Sequence, residues 1–316
     1  MRAMWRRTGA SDEAVLDAAR ADAETAVEPM LTAGLAADEG SSHRGAMVGL
    51  VIVAGVVLMA IFAPLLAPAD PLHQDLHIRL TPPALLPGGS FEHLLGTDRL
   101  GRDMLSRIMF GARITLLIGL LGVTVGGAIG ITTGLVAGYV GGWMDGLTGR
   151  LADTQQAIPF VILVLAVVAV LGASLSNLII VLGVGSWIFS YRVVRGETLT
   201  VRRRPFVEAS EALGADRAFV IRQHILPNVM PSIIVVVTLF VPETILFAAA
   251  LSFLGLGVPP PTPEWGGMIA DGSEYLRVAP WLALVPAGFL IITVLAINLV
   301  GDWLRDALDP VRRHAS

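Results

Sequence analysis

Six stretches of this chain are apolar over lengths that suit a lipid bilayer, at about 45–67, 114–137, 158–171, 178–194, 230–256 and 281–300. A helix of about 20 residues crosses the hydrocarbon core, and backbone polar groups there must be satisfied within the segment. The third run is short and reaches spanning length only by drawing on 147–157. The chain is 54% hydrophobic and 15% charged, with a mean hydropathy of +0.71. Together these predict an all-α integral membrane protein with six transmembrane helices.

Two absences narrow the chemistry. The chain has no cysteine, so disulfides, thiolate nucleophiles and thiolate metal sites are excluded. All 22 basic residues are arginine. Without lysine there is no Walker A phosphate loop and no Schiff-base chemistry. If ATP drives this protein, another polypeptide hydrolyses it.

The polar segments define the organisation. Residues 1–44 hold eight acids against five arginines and few large apolar side chains. Such a tail cannot offset its ordering entropy and is expected to be disordered, with 11–28 able to form a weak helix. It lacks the pattern of a secretory signal. The expected divisions are the 1–44 cytoplasmic tail, a 45–68 first transmembrane helix, a 69–112 extracytoplasmic loop, a 113–303 five-helix core and a 304–316 cytoplasmic tail. The loop carries His73, His77 and His93 beside Asp70, Asp75 and Glu92. Pro71 and the lack of helical periodicity argue against a metal-binding His-x3-His there, so solvated histidines and no metal site are expected. In the same loop Gly96-Thr97-Asp98-Arg99-Leu100-Gly101-Arg102-Asp103 reads as a turn with an aspartate cap leading into a helix. With the N-terminus inside, inner segments carry 16 arginines and outer ones 6, which places both termini in the cytoplasm.

Within the second run Gly122, Gly126, Gly130, Gly134 and Gly138 recur every four residues. Four residues turn about 400°, so the row creeps about 40° per step and makes an inclined groove. Small residues so spaced admit close backbone approach, as static packing or as a sliding interface.

Between the fourth and fifth runs lies PFVEASEALGADRAFVIRQHILP, residues 205–227. Pro205 suits a first helical position, and Phe206, Ala209 and Leu213 share one face. Gly214 stops this helix and Asp216 can cap the next. Ala218, Ile221 and Ile225 repeat the stripe, and Pro227 is expected to end the second helix. A two-helix hairpin between spans results.

The order Glu208-Ala209-Ser210, Gly214, then Ile225-Leu226-Pro227-Asn228 resembles the EAA loop of permease subunits of ATP-binding-cassette importers. LGTDRLGRD, LSFLGLGVPPPTPEWG and GDWLRDALDP are similar to signatures of the C-type permeases of dipeptide and oligopeptide importers, so the resemblance runs over about 45–311. It implies a type-1 ABC importer permease fold in the bacterial cytoplasmic membrane. It also implies a non-catalytic half of a pore, with lipid around it and no nucleic-acid partner. The implied partners are a second homologous permease, two cytoplasmic ATPases that bind the ATP and magnesium, an extracytoplasmic substrate-binding protein and a peptide cargo. No cofactor is implied for this chain. Glu208, Ala209, Ser210, Gly214, Asp216, Phe219, Leu226 and Pro227 are then the ATPase-coupling candidates, with Phe219 filling an ATPase groove.

Glu243, after Pro242, is the one acid well inside a run. An intramembrane carboxylate is a functional candidate because burying it is costly. It is read here either as part of the translocation path or as a kink-associated residue near the membrane's edge. Ala248 stands where many relatives of this type carry an acid. Related permeases serve peptides, glutathione or nickel, so the cargo stays open. The other class considered, an ion-coupled secondary transporter, needs more intramembrane ionisable groups than this chain offers.

Overall fold

The computed structural model describes residues 43–308, so the 1–42 part of the acidic tail and the end of the C-terminal tail lie outside the described residues. Contacts divide the chain at residue 47 into Met1–Met47 and Val48–Ser316, and the helical architecture from Val48 onward belongs to the second unit. Among the described residues the structure is helical, with one isolated bridge between Thr97 and Asp103 and no strand. Five helices are long and apolar enough to cross a membrane, or six if one bent pair counts as a span.

Helix α1 spans His43–Ile61, and α2, Ala63–Leu66, follows it with a proline in its first turn. The loop after them is a folded structure. Asp98 accepts from the backbone N–H of Leu100 (2.8 Å) and Arg102 (2.9 Å) and from Arg102 Nε (2.6 Å), and it lies 3.6 Å from Arg107 Nε. Asp103 then caps α3, Met104–Val140, by accepting from the Ser106 N–H at 2.7 Å, and pairs with His93 at 2.9 Å. At 1.5 Å per residue this 37-residue helix is about 55 Å long, well beyond the ~30 Å of hydrocarbon. The helix expected only as a lead-in to the second run is therefore one rod with it.

The third expected span is broken. Helices α4, Gly142–Gln156, and α5, Phe160–Leu171, meet at 87°. Pro159 has no N–H to continue the ladder and biases Ile158 away from helical backbone, so a straight rod over 147–171 cannot form. Helix α5 ends at Gly172 (φ +79°), and Ser174 caps α6, Leu175–Arg202, by accepting from the Asn177 N–H. Asn177 closes the turn by donating to the carbonyls of Leu171 and Gly172.

Helix α7, Pro205–Ala212, precedes a rod built from α8 (Arg217–Val220), a π turn (Ile221–Ile225) and α9 (Leu226–Phe253). The 258–279 proline-rich stretch contains α10, Trp265–Ser273. Glu264 caps it by accepting from the Gly266 and Gly267 N–H groups at 2.7 and 2.8 Å. Burial pushes the Glu264 carboxyl up, against those two donors. Trp265 is fully buried and donates its indole N–H to the Ile108 carbonyl at 3.0 Å, which ties this segment to α3. Helix α11, Trp281–Leu308, completes the described chain.

Candidate functional site

The hairpin is held by turn chemistry at one end and by core packing along one side. Helix α7 ends in a Schellman arrangement: Gly214 N–H donates to the Glu211 carbonyl and Ala215 N–H to the Ser210 carbonyl, with Gly214 at φ +85°. Asp216 takes the extended backbone of an N-cap, but its side chain accepts no capping hydrogen bond, contrary to the expected role. Pro227 does not end the second helix either. In the π turn Leu226 N–H reaches back five residues to the Ile221 carbonyl, and the rod runs on through Pro227 to Phe253. The missing proline N–H is absorbed where the ladder has already changed its step.

That step also resets which residues are buried. Val207, Val220, Ile225 and Val229 are fully buried with Val194, Val201, Leu135 and Tyr139. The spacing from 220 to 225 is five rather than four because the π turn holds one extra residue. The 218, 221, 225 stripe expected for an unbroken α-helix is accordingly shifted: Ala218 is exposed and Ile221 half-buried. On α7 the expected face of Phe206, Ala209 and Leu213 points outward, with Leu213 89% exposed and Phe206 40%.

The remaining candidates do not share one face, and Leu226 packs against the inner cluster. Glu208 is exposed in the first turn of α7, Ser210 and Leu226 are half-buried, and Pro227 is exposed. Phe219, 49% exposed, meets the His224 ring edge-on at 5.8 Å, and Phe206 lies 5.9 Å from the same ring. His224 Nε2 also lies 3.2 Å from Ser210 Oγ, so this histidine joins the two arms of the hairpin. Tyr139 donates to Glu211 at 2.7 Å, anchoring the hairpin to the end of α3. Sequence reasoning assigns no role to His224 or to Glu211. The one available signal is a histidine inside the hairpin's second arm, next to Arg222 and Gln223, and it does not point to a contact with Ser210.

The glycine row lies against α6, its most extensive neighbour. A Cβ on Gly134 would sit 2.9 Å from the Tyr191 carbonyl oxygen, and one on Gly138 2.8 Å from Thr198 Cβ. Gly130 abuts the Trp187 carbonyl and Ser190, Gly126 abuts Ser186 and the Gly183 carbonyl, and Gly122 faces Thr244 and Leu182. Below the row, Arg195 grips Asp145 of α4 through both carboxylate oxygens.

Glu243 lies on α9, half-buried, in the wall of a cavity of about 270 Å³ at the elbow between α4 and α5. It sits at the middle of its apolar run rather than near an end.

Comparison with known proteins places this arrangement. Residues 130–314 match the family model described as binding-protein-dependent transport system inner membrane component. Residues 41–83 match the N-terminal transmembrane domain of oligopeptide transport permease C. The chain is 44% identical to the di/tripeptide transport system permease protein DppC of Pseudomonas aeruginosa, over 87% of this chain and 90% of that protein. It is 42% identical to the oligopeptide transport system permease protein OppC of Bacillus subtilis, over 86% and 87%. It is 43% identical to the glutathione transport system permease protein GsiD of Escherichia coli, over 84% and 86%. In fold it is similar to a chain of the MetNI methionine ABC transporter in an inward-facing conformation, with a TM-score of 0.53 and 22% identity, over 65% of this chain and 98% of that one.

Proposed function

Because this chain belongs to the family of binding-protein-dependent transport system inner membrane components, we propose that it is one permease subunit of an ATP-driven importer of di- and oligopeptides. It forms half of a pore with a second, homologous permease. Two cytoplasmic ATPases bind the ATP and magnesium, and an extracytoplasmic binding protein delivers the cargo. The chain is non-catalytic and needs no cofactor of its own. It crosses the inner membrane six times, counting the bent pair α4–α5 as one span, with both termini inside, an orientation that the arginine distribution supports. Relatives named for peptides and for glutathione are about equally similar, and glutathione is itself a modified tripeptide.

One observation carries the coupling role. The hairpin is clamped to its own core by Val207, Val220, Ile225 and Val229, yet it presents Phe206, Leu213 and Phe219 outward. Its second arm is continuous with α9, the helix that bears Glu243. An ATPase that grips this outward face therefore acts on the end of a pore-lining rod rather than on a slack loop. Glu208 and Asp216 supply polar contacts, Ala209 and Ser210 allow close approach, and Leu226 and Pro227 mark where the hairpin passes into the rod.

Reconstitution tests this reading. Purified with its permease partner, ATPases and binding protein, the chain supports ATP-dependent uptake of a labelled dipeptide into proteoliposomes, and alone it supports none. Uptake by the isolated chain, driven by a proton or sodium gradient, would make it a secondary transporter instead.

A further inference from the structure

The cavity beside Glu243 has an unusual polar inventory. Its other polar side chains are already engaged within the chain. Gln155 donates to the Val184 carbonyl at 2.9 Å and accepts from the Trp187 indole at 2.9 Å. Gln156 accepts from Arg192 at 2.7 Å. Ser186 donates to the Gly183 carbonyl at 3.2 Å and Thr244 to the Phe240 carbonyl at 2.8 Å. Glu243 alone faces the cavity with no hydrogen bond or ion pair from the described residues.

The place of the cavity matters as much. Ser186 is at the centre of the 178–194 run, Glu243 at the centre of 230–256, and Gly126, which abuts Ser186, at the centre of 114–137. Three helices thus meet at the middle of their apolar runs, beside a fourth that is broken there by Pro159. Secondary transporters, a different class, place cargo sites at this depth next to interrupted helices, and the same geometry is available here. The rest of the wall is aromatic: Phe160 meets Phe247 edge-on at 5.5 Å, and Phe189 meets Phe240 at 4.8 Å. Aromatic faces attract cations and repel anions. About 270 Å³ falls just under the ~300 Å³ at which small-molecule pockets begin, so it suits one end of a peptide rather than a whole one.

We propose that Glu243 is the receiving group for a primary ammonium on the cargo, the N-terminus of a peptide, at the middle of the translocation path. This rests on the peptide reading above for the identity of the cation, and on the geometry for the rest. The carboxylate supplies the charge and the four phenylalanine rings disfavour anions; the cation that touches this wall, Arg192, is engaged by Gln156 (2.7 Å) and Asp153 (3.0 Å).

The test uses the absence of cysteine. In the full complex in lipid nanodiscs, without binding protein, Ser186→Cys is labelled with a cationic trimethylammonium and an anionic sulfonate methanethiosulfonate of similar size. The cationic reagent should react about tenfold faster, as a charged cleft concentrates counter-ions. Glu243→Gln should abolish the preference and Glu243→Asp retain it. Ala-Ala should slow labelling and N-acetyl-Ala-Ala should not, a difference that Glu243→Gln removes. Equal rates for the two reagents in the unsubstituted background would mean that a cation of the second permease covers Glu243, and would overturn the proposal. Equal protection by the acetylated peptide would overturn it too. Failure of the wild-type complex to import peptides, with the charge preference and Ala-Ala protection intact, would sink the peptide-importer reading and leave the site standing.

Discussion

At the scale of single residues, Gly214 sets the shape of the hairpin. Its φ of +85° lies in the left-handed region, and open space surrounds it, so a substitution there is felt through the backbone alone. A β-branched side chain in such a conformation costs about 1–3 kcal/mol, whereas asparagine tolerates it. Gly214→Val should leave the spans inserted but distort the face of Phe206, Leu213 and Phe219, and the ATPases should be lost on purification. Gly214→Asn should keep them. Subunit stoichiometry of the two purified complexes checks this, and equal retention would show that the turn does not shape the docking face. Gly214 is legible from sequence because a left-handed helix end has one favoured residue. Asp216 has the position and residue type of a side-chain cap, yet whether its carboxylate reaches an N–H depends on the orientation of the next helix, which spacing does not report.

At the scale of elements, the glycine row and the π turn show what spacing does and does not reveal. The four-residue repeat announces close approach, and α6 fills it so tightly that Gly130 abuts a backbone carbonyl. Gly130→Leu must overpack this contact, at a cost of about 1–3 kcal/mol. The thermal midpoint of the complex should therefore fall for Gly130→Leu and change little for Gly55→Leu, since a Cβ on Gly55 would meet no other helix among the described residues within 4 Å. A normal midpoint for Gly130→Leu would mean that α3 and α6 do not pack as described. The partner of the row is not readable from sequence, because many helices could meet a small-residue groove. The elbow at Pro159 and the π turn before Pro227 are hidden for a related reason. Apolar runs report that a segment crosses the bilayer and carry almost no register information, so a bend or one extra residue leaves the run looking whole. Burial of Val220, Ile225 and Val229 at spacings of five and four appears only once the ladder's step is known.

For the whole molecule, the run lengths and arginine bias are enough to anticipate a helical, multi-spanning protein, and its orientation is open to direct test. In a chain without cysteine, Leu85→Cys in the 69–112 loop should react with an impermeant thiol reagent in intact cells. Leu213→Cys, at an exposed position of the hairpin, should react only after the membrane is breached. Labelling of Leu213→Cys from outside would invert the topology. The central claim is that the 205–227 hairpin ties ATP hydrolysis to movement of α9, and Glu208 tests it most directly. Glu208 is exposed, so reversing its charge should change the chain's own stability by less than about 0.5 kcal/mol. At an ATPase interface, breaking a desolvated charge pair costs about 2–5 kcal/mol. The decisive measurement is the ratio of dipeptide taken up to ATP hydrolysed by the Glu208→Arg complex in proteoliposomes with saturating binding protein. Either the ratio should collapse, because the ATPases hydrolyse ATP without uptake, or the ATPases should be missing from the purified complex. A wild-type ratio with full subunit occupancy would mean that the hairpin is a solvated connection, and would contradict the account.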